Sequence, residues 1–259
     1  MRGDETPVVL VAHGSRDPRA AVTIGDLVTT IGTLRPGLPV YASYLDHTLP
    51  HPTQVLTALQ ADGHRRATLV PLLLTDAFHG RVDIPGALAA ARGNGLRMDV
   101  TITDVLGPRP DDEVDEPLLA GLRRRLEEAG TGWDAVVLAA AGTRDAAARG
   151  TVERVAGALG AALGVPCRVG YASAAPPTPG GAVEELRAAG ARRVAMATYF
   201  LAPGLLYEAA VTSAREAGAV AVAAPLGGAT EVARLVLQRV DAATRATRDA
   251  DPAVVSESA

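Results

Sequence analysis

The chain alternates between two kinds of segment. Short runs that are apolar at consecutive positions, such as "PVVLVA" (Pro7 to Ala12) and "TLVPLLL" (Thr68 to Leu74), are separated by longer Ala/Leu-rich stretches with polar residues at helical spacing. A run that is apolar at every position, not every second one, fits a strand covered on both faces. Helices between such strands return the chain for parallel pairing. The pattern predicts strands at 7–12, 39–44, 67–73 and 98–103, with helices at 19–34, 52–62, 82–93 and 113–129. It then predicts the series again: strands at 134–139, 166–171, 192–199 and 219–223, with helices at 145–163, 180–189, 204–217 and 229–246. The last stretch, "TRDADPAVVSESA", is polar and aperiodic, which predicts a mobile tail.

The second series echoes the first. "HGSRDPRA" (His13 to Ala20) follows the first strand, and "AGTRDAAA" (Ala141 to Ala148) follows the fifth. "YASYLDHTLPHP" from Tyr41 is matched to "YASAAPPTPGG" from Tyr171, and "GHRRATLVPLLLTDAFHG" from Gly63 to "GARRVAMATYFLAPGLLY" from Gly190. "VLGPRPDDEV" from Val105 is matched to "PLGGATEVAR" from Pro225. Matches in the same order indicate a duplicated unit, joined near "EEAGTGWD" (Glu127 to Asp134), where glycines break the helix. The expected fold class is α/β: two tandem doubly wound parallel-sheet lobes with a cleft between them; if the strand order in each is 2-1-3-4, strands one and three are neighbours where the order reverses. The expected divisions are an N-terminal lobe at 1–131, a degenerate C-terminal repeat at 132–246 and a tail at 247–259.

This topology gives the histidines a place. Ligands of doubly wound sheets bind at the carboxyl ends of the strands, where the strand order reverses. His13 follows strand one, and His79 follows strand three in "LLLTDAFHGRVDIP" (Leu72 to Pro85). Both are expected on one rim. The corresponding residues of the second unit are Ala141 and Leu206. One lobe thus keeps both imidazoles and the other can supply an apolar wall. Imidazole ligates borderline divalent metals and takes up protons near neutral pH. With no cysteine nearby, the shell is open, which suits transient metal handling. Asp46, in "YLDHTLP", ends strand two on the same rim and is a candidate third ligand; its plainer reading is a carboxylate in a helix N-terminal turn. His47 and His51 are at helical spacing, but Pro50 and Pro52 argue against a continuous helix there. His64, in "DGHRR", reads as solvated.

Few side chains are aromatic, 3 % of the chain, and most fall in or just after strands two and three of each unit. Tyr41 and Tyr171 read as an equivalent core pair. Tyr44, Phe78 and Tyr207 are nearest the rim, placed to contact a flat apolar ligand. Arg16 and Arg81 flank the histidines, and Ser15 adds a donor at the start of the first helix. These are candidates for binding an anionic group, with surface salt bridges the plainer reading of each arginine.

Composition narrows the classes. The net charge of −4 gives no footprint for nucleic acid. No apolar run is long enough to span a bilayer, and "MRGDETPVVLVAHGS" lacks a signal-peptide core, so a cytoplasmic setting is expected. A single cysteine, Cys167, excludes an intramolecular disulfide.

The motifs "LVAHGSRDP", "VPLLLTDAFHGRVDIP" and "LGPRP" resemble those of the class II tetrapyrrole chelatases, the sirohydrochlorin ferrochelatases and cobaltochelatases. The resemblance implies a ferrochelatase-like fold with the macrocycle between lobes. It also implies ATP-independent insertion of a divalent metal into sirohydrochlorin, for sirohaem or cobalamin, with iron favoured over cobalt. His13 and His79 match the family's two active-site histidines. Asp46 stands where members usually carry glutamate, with a shorter reach. The metal would be a substrate, with no permanently bound cofactor. The partners would be the tetrapyrrole and the metal ion, with neither nucleic acid nor membrane. No Cys-rich tail suggests an iron–sulfur cluster. A non-enzymatic metal or tetrapyrrole carrier on the same fold is the main alternative. A histidine phosphatase would need arginine where Ala12 stands, and a flavodoxin-like nucleotide module finds no G-x-G-x-x-G after strand one.

Overall fold

A computed structural model describes residues 5–75, 83–109 and 112–250. The strands are β1 (Val8–Ala12), β2 (Val40–Tyr44), β3 (Arg66–Pro71), β4 (Asp99–Ile102), β5 (Ala135–Ala140), β6 (Cys167–Tyr171), β7 (Val194–Tyr199) and β8 (Ala221–Val222). They alternate with α1 (Pro18–Leu34), α2 (Pro52–Ala61), α3 (Ile84–Gly93), α4 (Glu116–Ala129), α5 (Ala146–Leu163), α6 (Pro179–Ala188), α7 (Leu205–Glu216) and α8 (Thr230–Ala250). Two parallel sheets result, ordered β2-β1-β3-β4 and β6-β5-β7-β8, so the condition under which strands one and three are neighbours is met in both.

The all-apolar strands are covered on both faces. Along β1, Val8, Leu10 and Ala12 point into a central core, and Val9 and Val11 point to an outer one under α2 and α3. Along β5, Val136, Leu138 and Ala140 join the same central core, while Ala135, Val137 and Ala139 face α6 and α7. The central core is continuous between the lobes. Its inner layer is formed by α1, α4, α5 and α8.

Two of those inner helices are exchanged. α4 belongs in sequence to the first repeat but packs on β7 and β8 of the second sheet. α8 belongs to the second repeat but packs on α1 and β3 of the first lobe. Paired charges fix the exchange. Arg35, which caps the C-terminus of α1, grips Asp241 of α8 through two bonds of 2.7 and 2.8 Å. Arg124 of α4 grips Glu231 of α8 at 2.8 and 2.9 Å. Arg239 of α8 donates to the Val105 carbonyl at 2.8 Å, the Leu106 carbonyl at 3.2 Å and the Asp115 carboxylate at 2.6 Å.

α8 also corrects an expectation. It continues through residues 247–250, assigned above to a mobile tail, because its apolar face remains seated on the first lobe through Val240 and its basic residues continue the helical pattern. Among the described residues, no helix is long and apolar enough to cross a membrane.

Candidate active site

The carboxyl ends of β1 and β5 are built alike. Asp17 caps α1 by accepting the Arg19 N–H at 2.9 Å, and Asp145 caps α5 by accepting the Ala147 N–H at 2.9 Å. The Asp17 and Asp145 N–H groups in turn donate to Ser15 Oγ and Thr143 Oγ1, each at 3.1 Å. Gly14 and Gly142 both adopt φ of 93°. A Cβ on Gly14 would lie 1.8 Å from the Asp46 carbonyl oxygen, and one on Gly142 would lie 1.9 Å from that of Ser173. The small residue, hydroxyl and aspartate of "GSRD" and "GTRD" therefore build the turn and cap the helix. The residue before them is released from that task, and there the copies differ: His13 against Ala141.

These rims meet at a cleft of ≈ 490 Å³. One side is lined by His13, Ser15, Arg16, Tyr44 and His47 of the first lobe. Facing them are Ala141, Phe200, Leu201, Pro203, Leu206 and Tyr207 of the second lobe. Ala141 and Leu206, the residues aligned with the two motif histidines, thus lie in the cleft itself. Phe200 and Tyr207 pack edge to face with ring centroids 5.9 Å apart. Beside the cleft, Arg19 bridges the lobes from Asp17 to Glu208, the latter contact 2.7 Å long.

Of the expected site residues, His13, Ser15, Arg16, Tyr44 and Tyr207 come together here. Ser15 also has the local task of accepting the Asp17 N–H. Tyr44 is nearly buried, and burial raises the pKa of its phenol. Phe78, His79 and Arg81 lie outside the described residues. Leu72, on the chain leaving β3 toward them, lines the same cleft. Asp46 is on the rim but not in the lining. Its carboxylate is turned on its neighbour: Oδ1 accepts the His47 N–H at 2.7 Å, and Oδ2 is 3.4 Å from His47 Nε2. His47, set aside in the sequence, is the residue that enters the cleft. His51 is at hydrogen-bond distance, 2.9 Å, between its ring Nδ1 and the Tyr44 carbonyl, a contact that ties down the start of α2. Burial pushes the Cys167 thiol up to about 12, so it is an inert packing residue.

One sequence match also shifts. Strand register aligns Ala12 with Tyr44 and Ala140 with Tyr171. Tyr171 therefore corresponds to Tyr44, not Tyr41. The repeated tripeptide "YAS" set the alignment off by three residues. An odd shift exchanges the faces of a strand, and Tyr41 is accordingly 39 % exposed while Tyr171 is buried.

Among the described residues, no group of three His, Cys, Asp or Glu side chains is arranged to hold a metal ion. The expected set of His13, His79 and Asp46 includes a residue outside that description.

A single family model, CbiX, matches twice, over residues 7–128 and again over 135–243. The chain belongs to the CbiX family. A curated relative, the sirohydrochlorin cobaltochelatase of Priestia megaterium, is 24 % identical over 210 residues, covering 77 % of this chain and 65 % of its own length. The sirohydrochlorin cobaltochelatase of Methanococcoides burtonii is 27 % identical over 81 residues, 31 % of this chain and 62 % of its own. The matched regions thus span less than two thirds of either relative. Among solved structures, SirB from Bacillus subtilis with Fe3+ superposes with a TM-score of 0.77 at 20 % identity, over 92 % of this chain and 94 % of SirB. CbiX described as the terminal enzyme of sirohaem biosynthesis in denitrifying bacteria gives 0.61 at 21 % identity, over 92 % and 99 %. At these identities the structures establish a shared fold: a CbiX-family α/β chain of two lobes.

Proposed function

We propose that this chain inserts a divalent metal ion, iron or cobalt, into sirohydrochlorin without ATP. The observation that carries the reading is the asymmetry of the cleft. Imidazoles stand on the first lobe, and apolar residues occupy their aligned positions in the second, where Ala141 and Leu206 line the same space; Arg16 also lines the cleft, while its counterpart Arg144 does not. A flat macrocycle with carboxylate side chains fits such a cleft: its face against the second lobe, its carboxylates toward the rim cation, its pyrrole nitrogens toward the imidazoles. The relatives' names carry the substrate class, cobalt and iron among them.

The chemistry requires two events. Two pyrrole N–H protons leave, and the metal exchanges bound water for nitrogen. His13 stands on the exposed rim, where an imidazole can hold the arriving metal or accept a proton. His79 is assigned the same pair of tasks from the motif it shares. Arg16 orients the macrocycle. Phe200, Leu206 and Tyr207 exclude water from one side, which strengthens electrostatics on the other.

The test is an anaerobic assay of purified protein with sirohydrochlorin and Fe2+, Co2+ or Ni2+, followed by absorbance. Many turnovers per protein are expected with iron or cobalt. A carrier would bind one equivalent and stop, and conversion no faster than in buffer would refute the proposal.

A further inference from the structure

We infer that His47 is a metal-ligating side chain of this cleft, with Asp46 as the carboxylate that positions its ring. The inference rests on the function proposed above and concerns residues that only the first lobe carries.

The duplicated fold shows what the turn itself requires. In the first lobe the Asp46 N–H donates to the His13 carbonyl at 2.9 Å, and the Thr48 N–H to the Asp46 carbonyl at 2.7 Å. In the second lobe the Ser173 N–H donates to the Ala141 carbonyl at 3.0 Å, and the Ala175 N–H to the Ser173 carbonyl at 2.8 Å. His47 sits at φ of 59° and its counterpart Ala174 at 63°. The turn is thus the same whether it is made from Asp-His or from Ser-Ala. Neither the carboxylate nor the imidazole is needed to form it. As with His13 and Ala141, the polar chemistry belongs to the first lobe alone.

The side chains then divide their tasks. Asp46 is 64 % exposed and outside the lining; its Oδ1 accepts the His47 backbone N–H, and its Oδ2 lies 3.4 Å from the His47 ring Nε2. His47 is half as exposed, at 33 %, and lines the cleft with His13. A carboxylate on one ring nitrogen fixes the tautomer and orientation of an imidazole whose other nitrogen binds metal, a recurrent arrangement at metal sites. Here Nε2 faces Asp46, which assigns Nδ1 to the metal. The loops after β1 and β2 then each contribute an imidazole to one rim. Such a shell is incomplete, as a site must be that passes its ion to four pyrrole nitrogens.

The second lobe supplies the test substitutions, since His47→Ala and Asp46→Ser copy residues that already build this turn. Co2+ affinity is measured by titration without tetrapyrrole. Bound imidazoles are counted by pulsed EPR on the Cu2+ form, where each remote ring nitrogen modulates the echo. His47→Ala is expected to lower the imidazole count by one and weaken Co2+ at least tenfold. Asp46→Ser is expected to leave the count unchanged and weaken Co2+ by about tenfold, the lower end for loss of an outer carboxylate. A full count and unchanged affinity in His47→Ala would overturn the inference. So would loss of metal in Asp46→Ser with normal binding in His47→Ala. Sirohydrochlorin turnover by the wild-type protein is read separately, so failure of the proposed activity is distinguished from failure of this ligand assignment.

Discussion

At the residue scale, duplication separates structure from chemistry. Positions with the same task in both copies build the fold, and positions that diverge are free to react. Gly14 and Gly142 are of the first kind. Gly14→Ala and Gly142→Ala should each lower stability by at least about 2 kcal/mol, since each combines a left-handed backbone with a carbonyl in the place of its Cβ. Urea unfolding of the two variants measures this. His13 is of the second kind. His13→Ala should slow metal insertion at least tenfold, at the low end for loss of a positioned base, with the urea midpoint unchanged because the side chain is exposed. Initial rates and unfolding midpoints on one preparation check both halves of that expectation. His13 was legible in the sequence because its motif recurs without it. His47 was not, because it was weighed only as a helical partner of His51, a spacing that Pro50 and Pro52 break. With Tyr44 aligned against Tyr171, the comparison of the repeats sets Asp46-His47 against Ser173-Ala174 and brings the pair to notice.

At the scale of elements, the strands and helices follow from all-apolar runs and helical spacing, and the parallel pairing follows from the helices between the strands. The exchange of α4 and α8 was not legible. An amphipathic stripe states that a helix buries a face, but two homologous sheets offer equivalent surfaces to cover it. The choice lies in specific ion pairs far apart in sequence. Arg239→Ala should therefore destabilise by about 2–4 kcal/mol, since it leaves a half-buried Asp115 carboxylate and two carbonyls without their donor. A thermal or urea melt of the full chain tests it. The clamp also has a pH dependence. Hydrogen bonds from Arg124 and Arg35 hold the Glu231 and Asp241 carboxyls below their ordinary values. Lowered carboxylates stabilise fully above the unfolded value, about 4, and that stabilisation is lost as pH falls through the folded one. Stability should thus decline in acid below about pH 4, and the decline should be shallower in Asp241→Asn. Urea midpoints across pH 3 to 6 decide the matter.

At the scale of the whole molecule, the exchanged helices make the lobes one cooperative body around a central core, and the cleft is a product of both. Residues 1–131 alone would expose the face of β3 and the side of α1 that α8 covers, and would leave α4 without its sheet. This half should show neither a cooperative melt nor dispersed NMR resonances. What remains asymmetric in this nearly symmetric frame is chemistry: imidazole on one lobe, apolar wall on the other. The most direct measurement is the anaerobic rate of metal insertion into sirohydrochlorin by wild type, His13→Ala, and His13→Ala combined with Ala141→His. The expected result is turnover by wild type, at most a tenth of that rate in the single variant, and no recovery when the imidazole is moved to the second lobe. A single variant as fast as wild type, or recovery in the double variant, would contradict the division of labour between the lobes.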